Sequence, residues 1–246
     1  MRAPLTIAAS LVFAFAFAGA IALEPRIIAP FSAAEPGAEL PRGWEVLSVA
    51  HRKLPEFRLV RDAGETVLRV HAEAAVGSLG HSLSVEPGTA ALSWRWKVDH
   101  VLDKARLGTR EGDDFAARVY VSFDVPLETL SFTARAKIKL AQIIYGAHLP
   151  TAAICYVWDN RSPVGTSMWN PYTDRLRMVV LESGNARAGQ WVVETRNLDA
   201  DFQAAFGAQW GKPTPRITGV AVAADTDQTL ETVTAWFGDL RIEARR

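Results

Sequence analysis

Several things are scarce in this sequence, and each scarcity narrows what the chain can be. There is one cysteine, Cys155, so no intramolecular disulfide can form and burial of apolar surface must supply the stability. Neither charge is in excess: 27 basic and 27 acidic side chains are spread over 246 residues. With no basic surplus or stripe, nucleic acid is not an expected partner. After residue 23 no apolar run is long enough to cross a bilayer. The five histidines are dispersed, and H-E-x-x-H, C-x-x-C, G-x-S-x-G and a phosphate-cradling glycine loop are all missing. A hydrolytic triad or a zinc site can then arise only from residues that the fold brings together. There is also no internal repeat and no low-complexity tract.

What is present begins with Arg2 and an almost wholly apolar run from Leu5 to Leu23, with alanines spaced for signal-peptidase cleavage near Ile21 or Leu23. We read residues 1–22 as a signal peptide and the product as exported, periplasmic or secreted. A retained anchor is the alternative, because the run approaches the roughly 18 residues that span a bilayer. Beyond this segment no membrane contact is expected. The mature chain keeps one more acid than base, so no polyelectrolyte partner is implied.

Period-two alternation dominates the rest. Trp94, Trp96 and Val98 fall on one face of a strand and Arg95 and Lys97 on the other; Ala117, Val119, Val121 and Phe123 alternate with Arg118, Tyr120 and Ser122. Ten or eleven such segments, separated by turn signals such as Asp62-Ala63-Gly64, Pro87-Gly88 and Ser183-Gly184-Asn185, predict an all-β protein: an antiparallel β-sandwich, jelly-roll-like, with one or two short peripheral helices. One helix is expected from Leu130 to a stop at Gly146. The other runs from a cap at Asn197 or Asp199 to Gly207. Residues 23–43 read as an irregular lead-in and 44–246 as a single sandwich domain. The polar span from Asp99 to Gly112 reads as a surface loop of a length that often carries function.

Four groups of residues are candidates for a site. Asp113 and Asp114 stand before the strand that holds Arg118. Paired carboxylates can bind a hard cation or act as acid and base, but adjacent residues in an extended segment face opposite ways, and an aspartate at a strand entrance also serves simply as a turn staple. We expect Asp114 and Arg118 to form an ion pair; in the functional alternative Arg118 forks onto a ligand carboxylate, a phosphate or sugar hydroxyls. Glu194 and Arg196 share a strand face ahead of Asp199 and Asp201, where they line a pocket or belong to ordinary helix capping. Asp225 and Asp227 have D-x-D spacing that can present oxygens to calcium or make Asx-turns. Trp158 and Trp169 bracket a loop with Asp159, Asn160 and Arg161, and Trp210 lies in another; such rings stack on sugars or plug sandwich ends. Trp44, Trp94, Trp96, Trp191 and Trp236 are assigned to core packing.

The ordered set Trp94-Arg95-Trp96-Lys97, Gly112-Asp113-Asp114-Phe115-Ala116-Ala117-Arg118-Val119-Tyr120-Val121 and Asp225-Thr226-Asp227-Gln228-Thr229, with the stretches around Glu194 and Trp236, resembles an uncharacterised family of exported bacterial proteins, a domain of unknown function. The resemblance spans about Trp44 to Glu243 and implies export but no catalytic residues. More loosely, the segment from Leu68 to Pro87 and the closing strand are similar to galactose-binding-type jelly rolls. That likeness implies a structural-calcium aspartate at Asp239; no other cofactor is expected. The leading expectation is non-catalytic recognition of a glycan or other envelope component through Asp113, Asp114, Arg118, Trp158, Trp169 and Arg196. An envelope glycan hydrolase using two of Asp113, Asp114, Glu194 and Asp225, or a purely structural protein, are the alternatives.

Overall fold

The computed structural model describes residues 26–49, 51–86, 89–126, 128 and 150–245. In chain order the first strands are β1 (Arg26–Ala29), β2 (Trp44–Ser48), β3 (Glu56–Asp62), β4 (Glu65–Glu73), β5 (Gly77–Val85), β6 (Thr89–Val98) and β7 (Phe115–Phe123). They are followed by β8 (Ala152–Asp159), β9 (Ser167–Asn170), β10 (Thr173–Ser183), β11 (Val192–Asn197), helix α1 (Leu198–Trp210), β12 (Ile217–Asp225), β13 (Thr232–Phe237) and β14 (Leu240–Arg245). The expected helix from Leu130 to Gly146, the leader and the Pro87-Gly88 turn lie outside the described residues.

Alternation builds two seven-stranded sheets from these residues. The first is β1-β14-β6-β13-β4-β3, with β11 on the free side of β6; the second runs β2-β5-β12-β7-β8-β10-β9. All pairs are antiparallel except β8 with β10. β13 and β14 act as one interrupted strand along β6, and the break falls at Gly238. A Cβ there would lie 2.4 Å from Arg95 Nε, so the missing side chain is what lets Arg95 lie across the break.

Between the sheets, Trp94, Trp96 and Val98 of β6 meet Val119, Val121, Phe123 and Tyr156 in one core. This is the all-β sandwich that the alternation predicts. The outer face of the second sheet carries a smaller apolar layer of Phe115, Cys155, Val157, Met178 and Val180. β8 is therefore buried on both faces, and every residue from Ala152 to Asp159 is covered. Its continuous apolar run follows from that.

Several expectations are corrected. The stretch read as an irregular lead-in holds β1, paired to β14, and Phe31, which is fully buried against Trp44. The expected helix after Asn197 is present, with Asn197 Oδ1 accepting from Ala200 N at 3.1 Å. It continues through Gly207 to Trp210 and stops at Gly211, whose φ of 65° is costly for any side chain. Its buried Phe202 and Phe206 pack towards Phe123 and Trp169. The span from Asp99 to Gly112 has no regular element but is pinned: Val101, Leu102 and Ala105 are buried, and Asn160 Nδ2 donates to the carbonyls of Leu102 and Ala105 at 2.7 and 3.0 Å.

Candidate functional site

Arg118 points from β7 to the outer side of the second sheet and is 2 % exposed. A guanidinium taken out of water needs full pairing. It forks onto Asp225 of β12, with Nε donating to Oδ1 at 2.8 Å and Nη2 to Oδ2 at 2.7 Å, and Nη2 also donates to the Asp113 carbonyl. Asp113 Oδ1 lies 3.6 Å from Nη1, and Phe115 packs under the guanidinium at 4.5 Å. The expected Asp114–Arg118 pair is thus replaced by Asp225–Arg118. The β7–β12 pairing sets Arg118 opposite Ala223, two residues from Asp225, and no spacing rule within β7 can find that partner. Asp114 instead turns to the loop after β12, where its Oδ2 accepts from Gln228 N at 3.0 Å and Thr229 N at 2.6 Å.

Asp113, Asp114, Asp225 and Asp227 are all buried in this region. Burial pushes Asp114 and Asp227 above the usual carboxylate range, against backbone hydrogen bonds and nearby arginines that pull them down. Burial also raises Asp225, with Arg118 opposing it. Asp227 lies 3.6 Å from the exposed Arg52. Asp239 does not join the group. It sits at the far end of β13, accepting from Ser32 N at 2.9 Å and Ser32 Oγ at 2.7 Å, and so fastens the segment after β1 to the closing strand. Among the described residues no three histidines, cysteines, aspartates or glutamates are arranged to hold a metal ion.

Glu194 and Arg196 face inward on β11, opposite Trp94 and Leu92 of β6. Asp201 in the first turn of α1 grips Arg196 with bonds of 2.9 and 2.6 Å and accepts from the Tyr156 hydroxyl at 2.6 Å. Arg196 is thereby committed to tying strand to helix. Glu194 is half-buried, and burial first, then the neighbouring Glu182, push its carboxyl up to about 7. Glu182 itself is held by Arg187 at 2.6 Å.

The tryptophans divide differently from the expectation. Trp158 belongs to β8, is 1 % exposed and donates Nε1 to the Gly184 carbonyl at 3.1 Å; it is a core ring and not a loop platform. Trp169 and Trp210 are half-buried against Phe206, with Arg177 over the first at 4.7 Å and Arg175 over the second at 5.1 Å. Trp44, Trp94 and Trp96 are buried as expected. Trp191 and Trp236 are not core residues: they stand partly exposed on the outer face of the first sheet. The signal was available. Val233, Ala235 and Phe237 alternate inward, which turns Trp236 outward, and Val192 opposite Trp96 does the same for Trp191.

On that outer face Lys97 stands between the two indoles, its Nζ 5.2 Å from the Trp191 ring centroid and 4.5 Å from that of Trp236. Asp62, the last residue of β3, accepts from both Lys97 Nζ and Trp191 Nε1 at 2.7 Å. Burial, the largest single effect, raises the Asp62 carboxyl, but Lys97, Trp191 and Arg95 together hold it below its usual value. Arg95 covers Trp191 at 4.5 Å and pairs with Glu65. Arg69 lies opposite Trp236 on β4.

The family model described as "Protein of unknown function (DUF3047)" matches residues 42–241. The chain belongs to this family. The matched span reaches from just before β2 into β14 and takes in both the Arg118 cluster and the Trp191–Lys97–Trp236 row. No curated protein matches the sequence. Among solved structures, this DUF3047 chain is similar to a xylan-binding module, CBM15, with 8 % identity and a TM-score of 0.35, covering 85 % of this chain and 95 % of that one. It is also similar to the K2 cleaved adhesin domain of Lys-gingipain, with 10 % identity and a TM-score of 0.37 over 89 % and 97 % of the two chains. The cellulose induced protein Cip1 follows with 15 % identity and a TM-score of 0.35 over 81 % and 90 %. Likenesses of this size carry no argument about a ligand.

Proposed function

We propose that this protein is an exported, non-catalytic binding domain that recognises a glycan or another cell-envelope ligand on the outer face of its first sheet. The observation that carries this reading is the row Trp191–Lys97–Trp236. Two partly exposed indoles flank β6, Trp191 just ahead of β11 and Trp236 on β13, about 10 Å apart by the usual spacing of neighbouring strands. Sheet-borne rings are rigid, so little entropy is lost on docking. The ring area that Arg95 and Lys97 leave open suits the C–H face of a sugar, and Lys97, Asp62, Arg95 and Arg69 supply charged donors and acceptors for hydroxyls around it. The apolar leader between Leu5 and Leu23 supports export, and no helix among the described residues is long and apolar enough to cross a membrane.

The hydrolase alternative has less to stand on. It needs two carboxylates across an open cleft, whereas Asp113, Asp114 and Asp225 are buried around Arg118 and Glu194 projects from the other sheet.

The test is a glycan array on the purified mature protein, followed by titration calorimetry with any polysaccharide retained. Trp191→Ala and Trp236→Ala should each weaken binding about tenfold while circular dichroism stays unchanged. Retention of no glycan, or unaltered affinity in both variants, would overturn the reading.

A further inference from the structure

The loop that closes β12 onto β13 holds under-satisfied oxygens. Asp227 Oδ1 and Gln228 Oε1 are buried and lack a hydrogen-bond partner, and Asp114 Oδ1 and Thr229 Oγ1, also buried, have no well-formed hydrogen bond beyond the contact between the Thr229 hydroxyl and the Asp114 carboxylate. Buried polar atoms are satisfied in the great majority of cases, so four such oxygens in one turn and its cap call for an explanation. All four are oxygens, and Thr229, a neutral residue, is 5 % exposed. The Thr229 hydroxyl donates towards the Asp114 carboxylate, which leaves its own lone pairs free, and that carboxylate is anchored over the turn by the N–H groups of Gln228 and Thr229. Asp227 begins the same turn and lies close enough to Asp114 to interact with it electrostatically.

The charges are lopsided in the same place. Four buried carboxylates, Asp113, Asp114, Asp225 and Asp227, surround one buried cation, Arg118, which Asp225 already occupies. Among the described residues, two other cations reach in from solvent: Arg52 stops 3.6 Å from Asp227, and Lys104 donates to the Thr229 carbonyl at 3.3 Å. Carboxylates withdrawn from water without matching positive charge are costly.

We propose that Asp114, Asp227 and Thr229, with Gln228 beside them, form a divalent-cation site of the calcium type at the base of the β12–β13 turn. The donors are hard oxygens of mixed kind, two carboxylates with a hydroxyl and an amide. Calcium accepts such a set and completes its six to eight ligands with water and carbonyl oxygens, whereas magnesium demands a tighter octahedron. Only two carboxylates belong to the set, so it is not a three-acid cage. Asp225 is outside it because Arg118 holds both of its oxygens, and Asp239 is outside it because a whole strand intervenes. The site belongs to the second sheet and the loop beyond it, and it stands independently of the Trp191–Trp236 face.

The experiment is thermal unfolding of the purified mature protein after chelator treatment and dialysis, without metal, with 10 mM calcium, and with 10 mM magnesium, at constant ionic strength (order-of-magnitude concentrations for a site of extracellular strength). Calcium should raise the melting temperature by about 3 °C or more, and magnesium should do markedly less. Asp114→Asn risks losing the turn itself, so the informative variants are Thr229→Val, which removes only the hydroxyl, and Asp227→Asn. Both should fold and both should lose most of the calcium shift, and calorimetric titration should show one calcium site reduced to none. No shift and no heat with calcium, or a shift that survives both variants, would overturn the proposal. Either result leaves the glycan test above unaffected, because its residues lie on the other sheet.

Discussion

Glu194 is placed by β11 directly across from Trp94 on the inward face, where water solvates it poorly. Burial and Glu182 raise its carboxyl from 4.5 to about 7, while Arg196, the Trp96 indole and Arg187 pull the other way without restoring it. The folded chain therefore holds this proton more tightly than the unfolded chain. Its stabilising effect is complete below about pH 4.5 and drains away as pH rises to about 7, because ionised Glu194 then faces Glu182 in a half-dry site. Glu194→Gln should remove that slope. The wild type should lose on the order of 1 kcal/mol relative to the variant between pH 5 and 8, a figure reduced for the partial exposure of the group. Melting temperatures of both proteins across that range check this, and parallel profiles would refute it. At the same scale Arg118 shows why one residue type can be legible while its role is not. Its presence on the polar side of β7 follows from alternation. That the polar side is covered, and that Asp225 waits there 107 positions away, does not.

At the scale of elements, α1 is a short helix with little amphipathic stripe and no basic residue in its last turn. Its start depends on local chemistry. Asn197 caps Ala200, Asp199 and Asp201 place negative charge in the first turn, and Asp201 also binds Arg196 of the preceding strand. Asn197→Ala should cost about 1 kcal/mol, read as a lower urea midpoint with an unchanged slope, and Asn197→Ser should recover most of it. Cap and first turn were both visible in the sequence, since they involve residues within four positions of each other. The far end lies three residues beyond the expected stop at Gly207, because a glycine can sit inside a helix when Phe206 and Trp210 on either side are packed. β8 makes the complementary point. Its unbroken apolar run identifies a strand buried on both faces, yet the second covering layer comes from Phe115, Met178 and Val180 on other strands.

For the whole molecule, closure depends on the amino-terminal segment. Ile28 O accepts from Trp44 Nε1 at 2.9 Å, Phe31 fills the end of the core, and Ser32 is bound by Asp239. β1 thus ties the first sheet to the base of the second. Phe31→Ala should destabilise the protein by about 3–5 kcal/mol, seen as a drop in the denaturation midpoint far larger than that of Ala34→Gly nearby. A midpoint shift of similar size in both would show that the segment is merely draped on the sandwich.

Sequence alone determined which way side chains face. Strand geometry turns successive residues to opposite sides, so the inward Trp94 and Trp96, the outward Lys97 and the two-layer architecture were all contained in the order of apolar and polar residues. Tertiary structure decided which strand lies beside which and what covers each outer face. Those choices rest on pairings between distant segments: Arg118 with Asp225, Asp114 with Thr229, Trp191 and Trp236 on either side of Lys97. Facing is a property of one chain segment and its local dihedrals, whereas partnership is the outcome of many segments competing for the same core.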